Sequence, residues 1–289
     1  MISTPPNLIR EIAHKRVVFF LGSGISANSE ATSPTTQIKN PLTWGDFIKG
    51  VKALVPEDKP AMKYIDSMIQ KEDYLKALQA IKNNCDSGQY NDFLRQNFDE
   101  PHFSPNKIHD YIKDINCKIV VTTNFDKIYE QCCGSQGYPV VNYYDPISKL
   151  ISNLRSSQNL IIKAHGTIDD VNNIIFTDNE FFMARRENID FYNVLKALFL
   201  THTVVFLGYS LNDPDINLQL ELTNRTKVES NPHYIFMSKG VDEELKKQWK
   251  ECYNVNIFEY GDNYLDLEPY MHQLALEVDL YKVQNQLPK

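Results

Sequence analysis

Long apolar runs are missing from this sequence. No stretch reaches the roughly 18 residues that a membrane span requires. The opening MISTPPNLIREIAHKR has no apolar core of the kind a secretory signal carries. The expectation is a cytoplasmic protein with no membrane contact. Paired cysteines are missing as well. The five present, Cys85, Cys117, Cys132, Cys133 and Cys252, are odd in number and show no Cys-x-x-Cys spacing. That argues against a disulfide framework and a four-cysteine zinc site, and no metal site is expected. His102 and His109 have no cysteine near them and read as structural or solvated. Positive charge is also short: the formal net charge is −7 and the densest basic run is Lys246-Lys247. Nucleic-acid phosphates are held by clustered Lys and Arg, so no direct nucleic-acid contact is expected. No Gly-Lys-Ser/Thr occurs, which disfavours a P-loop nucleotidase.

What is present is a series of short runs rich in Val, Ile and Phe: Val17–Leu21, Lys118–Thr122, Leu160–Ile162, Thr203–Leu207, His233–Met237 and Asn256–Phe258. They show little polar alternation, as strands buried on both faces do. Helical spacing lies between several of them. In Asp190–Leu200, for instance, Phe191, Val194, Leu195, Leu198 and Phe199 fall on one face. Alternating strands and helices predict an α/β fold with a Rossmann-like, doubly wound parallel sheet. Residues 45–115 break the rhythm. Asp46–Leu54, Ala61–Ile69, Glu72–Asn84 and Gln89–Phe98 all read as helices, so 45–115 is expected as a helical insert, or small helical subdomain, within a single domain 1–289. A separate helical domain or cap is the alternative. Tyr264–Val283 reads as one amphipathic helix packing on the sheet through Leu265, Leu267, Tyr270, Leu274 and Leu280.

The strand ends carry the chemistry. VVFFLGSGIS ends a strand in Gly22-Ser23-Gly24, and a helix after such a turn would offer unpaired N–H groups and a positive dipole end to a phosphate. A tight turn alone would need the same glycines, and without a third spaced Gly this is not the dehydrogenase fingerprint. TVVFLGYS repeats the device at Gly208 and Ser210, where Asp213 or Asp215 could instead cap a helix. IVVTTNFD sets Thr123, Asn124 and Asp126 after a strand, where helix capping is the plainer explanation. LIIKAHG sets His165 at another strand end. Histidine suits proton transfer near neutral pH, although a lone His is often a hydrogen-bonded core group.

Taken in order, LGSGIS, TTNFD, KAHG and LGYSLNDPD resemble the sirtuin-type NAD-binding domain, in its bacterial sirtuin-like branch, over roughly residues 10–260. Pro41-Leu42-Thr43-Trp44 resembles the Pro-x-x-Trp that follows the glycine loop in that branch. The resemblance implies an extended NAD+ as substrate. Gly22, Ser23, Gly24 and Ser26 would surround the pyrophosphate. Asn124 and Asp126, with Thr123 beside them, would face the nicotinamide ribose. His165 would be the catalytic base. Gly208 and Ser210 would meet the adenosine side, and Asn212 and Asp213 would close the pocket. Two features of the protein deacetylases are absent: the paired Cys-x-x-Cys zinc module and the Gly-Ile-Pro-Asp-Phe-Arg stretch, replaced by Ala27-Asn28-Ser29-Glu30. Thr123 also stands where they carry Gln. The resemblance therefore implies an NAD+ hydrolase of anti-phage defence. The alternatives are a non-catalytic NAD or ADP-ribose sensor, and a deacylase or ADP-ribosyl transferase. An NAD+ hydrolase needs restraint, so control by a partner protein or by homo-oligomer assembly is expected, with 45–115 a candidate gate over the nicotinamide pocket.

Overall fold

The computed structural model describes residues 3–34, 37–209, 214–224 and 232–288. Among these residues seven strands, β1 (Val17–Leu21), β2 (Ile119–Thr122), β3 (Val140–Asn142), β4 (Leu160–Lys163), β5 (Thr203–Leu207), β6 (His233–Ser238) and β7 (Val255–Gly261), form a sheet of order β3-β4-β2-β1-β5-β6-β7. Every neighbouring pair is parallel. The helices are α1 (Pro6–Ala13), α2 (Trp44–Lys52), α3 (Met62–Gln70), α4 (Tyr74–Asn84), α5 (Ser87–Phe98), α6 (Lys107–Ile115), α7 (Ile128–Cys133), α8 (Ile147–Arg155), α9 (Asp178–Glu187), α10 (Ile189–Thr201), α11 (Pro214–Asn224), α12 (Glu243–Tyr253) and α13 (Leu267–Gln284).

Alternate residues of β1 divide the core. Val17, Phe19 and Leu21 point to one face, where α1, α6 and α13 bury Leu8, Ile12, Ile112, Met271 and Leu274. Val18 and Phe20 point to the other, against Leu195, Leu198, Phe199 and Leu220 of α10 and α11. Both faces are covered, which is why the strands read as unbroken apolar runs. The architecture is Rossmann-like α/β. From β1 the chain passes to β2 on one side, and from β5 to β6 on the other. The strand order therefore reverses between β1 and β5, the kind of switch point at which open α/β sheets bind ligands.

A third cluster lies off the sheet. Phe47, Ile48, Val51, Ile65, Leu78, Ile81 and Leu94 of α2 to α5 pack with Ile168, Val171, Ile174 and Phe176 from the segment after β4. The last helix of the 45–115 stretch, α6, instead packs on the sheet.

Two expectations need correcting. Residues 140–142 form β3, an edge strand that the apolar runs did not reveal. At the other end, Tyr264–Asp266 is a separate 3₁₀ turn and the helix begins at Leu267. Its buried face is Leu267, Tyr270, Met271, Leu274 and Val278, whereas Leu265 and Leu280 are exposed. An α-helix places i, i+3, i+4 and i+7 together, and a start three residues later removes Leu265 from that face.

Candidate active site

Four adjacent strands, β4, β2, β1 and β5, deliver their carboxyl ends to the same edge. The glycine turns meet there directly. Gly22 N–H donates to the Leu207 carbonyl and Gly24 N–H to the Gly208 carbonyl, both at 2.9 Å. A Cβ on Gly22 would lie 2.5 Å from the Gly208 oxygen, and one on Gly24 would lie 2.7 Å from the Gly208 Cα. Gly208 itself has φ +61°, and its Cβ would lie 2.4 Å from the Ile25 nitrogen. These glycines let two backbones touch. The helix expected after them is a single 3₁₀ turn, Ser23–Ser26. Both glycine N–H groups are bonded within the protein. The Tyr264 hydroxyl donates to the Gly24 carbonyl and fastens the turn from the α13 side.

The β2 turn builds a polar cluster on this base. Thr123 N–H reaches the Leu21 carbonyl at 3.2 Å, and Asn124 N–H reaches Thr122 Oγ1 at 2.9 Å. Asn124 Nδ2 then donates to the Gly22 carbonyl at 3.2 Å and to Ser26 Oγ at 3.4 Å. The Asp126 carboxylate accepts from Ile128 N–H at 3.0 Å and from the Ser26 hydroxyl. Asp126 thus holds the first N–H of α7 from the residue before its N-cap and meets the cluster as well. Removal from water raises its pKa, while the Lys163 ammonium and the two hydrogen bonds act in the opposite direction.

The structure adds His109, which the sequence had left as structural or solvated. It is fully buried in the first turn of α6, with Nε2 3.5 Å from Ser26 Oγ and Nδ1 2.9 Å from Asn106 Oδ1. Burial pushes its pKa down to about 4, so the ring is neutral at pH 7. The Asn-x-x-His capping box was the available signal, together with Ile108, Ile112 and Ile115 at helical spacing.

His165 follows β4. It is buried, and its ring stands edge-on to Phe181 with centroids 5.2 Å apart. Gly166 turns the chain away at φ +84°, where a Cβ would meet the Asn173 oxygen at 2.3 Å. Ile168 N–H donates to the Phe125 carbonyl at 2.7 Å, which ties the turn after β4 to the turn after β2. Ser26, Asn124 and Asp126 are therefore in contact, His165 stands at the end of the strand beside theirs, and Ser23 lies exposed at the glycine turn. Ser210, Asn212 and Asp213 lie outside the described residues. Among the described residues no group of three or more His, Cys, Asp or Glu side chains could hold a metal, and no helix is long and apolar enough to cross a membrane.

Comparison with known proteins agrees with this architecture. Residues 118–258, which contain β2 to β6 and the first part of β7, match the family model described as a SIR2-like domain. The chain is 27% identical over 222 residues to Defense-associated sirtuin 2 of Bacillus subtilis, an alignment covering 74% of this chain and 20% of that protein. It is 25% identical over 197 residues to the NAD(+) hydrolase ThsA of Enterococcus faecium, covering 67% and 38%. For the ThsA of Cytobacillus dafuensis the identity is 24% over 234 residues, covering 78% and 46%. The aligned region thus spans less than half the length of each of these relatives.

Proposed function

Taking a SIR2-like domain as the premise, we propose that this chain hydrolyses NAD+ to ADP-ribose and nicotinamide. The observation that carries the reading is the contact of Asn124, Asp126 and Ser26 beyond the strand ends, with His165 on the adjoining strand. Two of the relatives reported above are named NAD(+) hydrolases, which supports the substrate class.

In the proposed reaction the bond between ribose C1′ and the pyridinium nitrogen breaks. Its electron pair stays on that nitrogen, so nicotinamide leaves neutral. Positive charge develops on the ribose, and the Asp126 carboxylate stabilises it. The amide hydrogens of Asn124 are engaged by Gly22 and Ser26, which turns its carboxamide oxygen to a ribose hydroxyl or to the attacking water. The water oxygen bonds to C1′ and its proton passes to His165. Gly22, Ser23, Gly24, Ser26 and Thr123 line the path of the pyrophosphate and ribose, and Gly208 lies toward the adenosine. Ser210, Asn212 and Asp213 are proposed for the same side on sequence alone.

The relative named as a defence-associated sirtuin supports a defence role. We assign restraint of the activity to a regulatory partner or to assembly of the chain with copies of itself. Light scattering that reports a monomer both with and without NAD+ would remove the assembly route.

The test is nicotinamide release followed by chromatography. His165→Ala and Asn124→Ala should each lower release by about 10²- to 10⁴-fold, the usual worth of positioned acid–base help. A folded His165→Ala protein that works at the wild-type rate overturns the mechanism.

A further inference from the structure

Lys163 ends β4, two residues before His165, and is 1% exposed. A buried ammonium is costly unless it is paired and hydrogen-bonded. Its Nζ donates to the Asp126 carbonyl at 2.5 Å and to Glu130 Oε1 at 2.5 Å. Both partners belong to the segment after β2: Asp126 closes the turn that carries Asn124, and Glu130 lies in the first turn of α7. An apolar residue at 163 would leave a carbonyl without its donor and a carboxylate without its cation.

We propose that Lys163 is a positioning residue of the active site. It fixes the Asn124–Asp126 turn against β4, with Glu130 as its half-buried counter-ion. The role rests on the NAD+ hydrolase reading, in which that carboxylate meets the developing charge on the ribose. One strand thereby places both halves of the site: His165 through the backbone of β4, and the β2 turn through the lysine.

Three groups on three elements form the electrostatic unit. Asp126 faces Lys163, the Ser26 hydroxyl and the Ile128 N–H. Glu130 faces Lys163, Asp126 and Asp169. Burial raises the pKa of both carboxyls and Lys163 opposes it. Lys127, on the same turn, is engaged by Asp99 and Asp169. Removing the lysine takes away the cation that opposes burial at both carboxyls, so both should titrate at higher pH. Removing Glu130 has the opposite effect on Asp126, because a like charge disappears.

The test compares the wild type with Lys163→Met, Glu130→Gln and the double variant. Nicotinamide release, melting temperature and the titration of the Asp126 carboxyl by ¹³C NMR are read on all four. In Lys163→Met the Asp126 titration should move to higher pH and release should fall by about 10²-fold, as displaced catalytic groups typically cause. In Glu130→Gln the titration should move to lower pH. The double variant removes the Lys163–Glu130 pair together, so its melting temperature should recover in part while release stays at the Lys163→Met level. Recovery of release together with melting temperature would make the pair purely structural and overturn the proposal. So would an Asp126 titration that is the same in all four proteins. A wild type that releases no nicotinamide would overturn the hydrolase reading instead. The titrations would then decide on Lys163 alone.

Discussion

Ser26 is small, buried and within reach of Asn124, His109 and Asp126. Ser26→Ala removes an acceptor from Asn124 and a donor from Asp126 in one step. The expected cost in stability is about 1–3 kcal/mol, since buried partners are left unsatisfied. Release should fall by more than that loss of fold explains, and equal rates at equal folded fraction would count against a catalytic cluster. His109 and His233 invite a second test. Both are pushed down to about 4 by burial, and His233 Nδ1 accepts from Val204 N–H at 3.0 Å. In the unfolded chain each returns to about 6.5. Their neutral forms are favoured in the fold, so this stability is complete above pH 6.5 and is lost as pH falls toward 4, worth about 3 kcal/mol for each ring at most. Urea midpoints at pH 7 and pH 5 read the effect. In His109→Leu the acid loss should shrink by about 2 kcal/mol, and an unchanged loss would show that another group titrates. At this scale the sequence exposed Asn124, Asp126 and His165 because each follows an apolar run. It hid Lys163 and His109, whose meaning comes from partners 33 and 83 residues away in the chain. A lysine after three apolar residues reads as the end of a strand. Here it is the last residue of one, made tolerable by Glu130.

At the scale of elements, the two glycine turns were legible as a pair, but their physical reason was not. The sequence suggested room for a phosphate; the structure shows that the missing Cβ atoms also bring the β1 and β5 turns into contact. This separates two costs that a glycine can carry. Gly137 has φ +63° with nothing near its Cβ position, whereas Gly208 has φ +61° and backbone at 2.4 Å. Gly137→Ala should cost only the left-handed backbone penalty, about 1–2 kcal/mol. Gly208→Ala adds a collision with Ile25 that no rotamer relieves, and should destabilise by several times as much or leave the protein unfolded. Denaturant midpoints for the two variants test this, and similar losses would mean that the turns can move apart. Strands β1, β2, β4 and β5 were legible because burial on both faces writes continuous apolar runs. Strand β3 was not: it has three residues at an open edge, follows Pro139, and has no run long enough to distinguish it from a loop.

Across the whole molecule, the helical segment is not a loose attachment to the sheet. Phe125, between Asn124 and Asp126, stands edge-on to Phe98 of α5 at 4.7 Å and to Phe176 at 4.9 Å, and Phe176 stacks on Phe47 of α2 at 5.1 Å. The turn that carries two proposed active-site residues is therefore also the point where α2 to α5 are fastened. A gate made of this segment, as the sequence suggested, would have to part these rings. Phe98→Ala tests the fastening. Truncating a large aromatic in a packed cluster costs about 3–5 kcal/mol, and Phe98 belongs to the third cluster rather than to the sheet core, so the loss should fall mainly there. Hydrogen exchange should quicken in α2 to α5 while β1, β2 and β5 keep their protection. Release of nicotinamide should fall as well, because Phe125 loses the neighbour that holds the Asn124 turn. Faster release from a folded Phe98→Ala protein would reverse the argument: the helices would then restrain the site, and loosening them would be the way the activity is switched on.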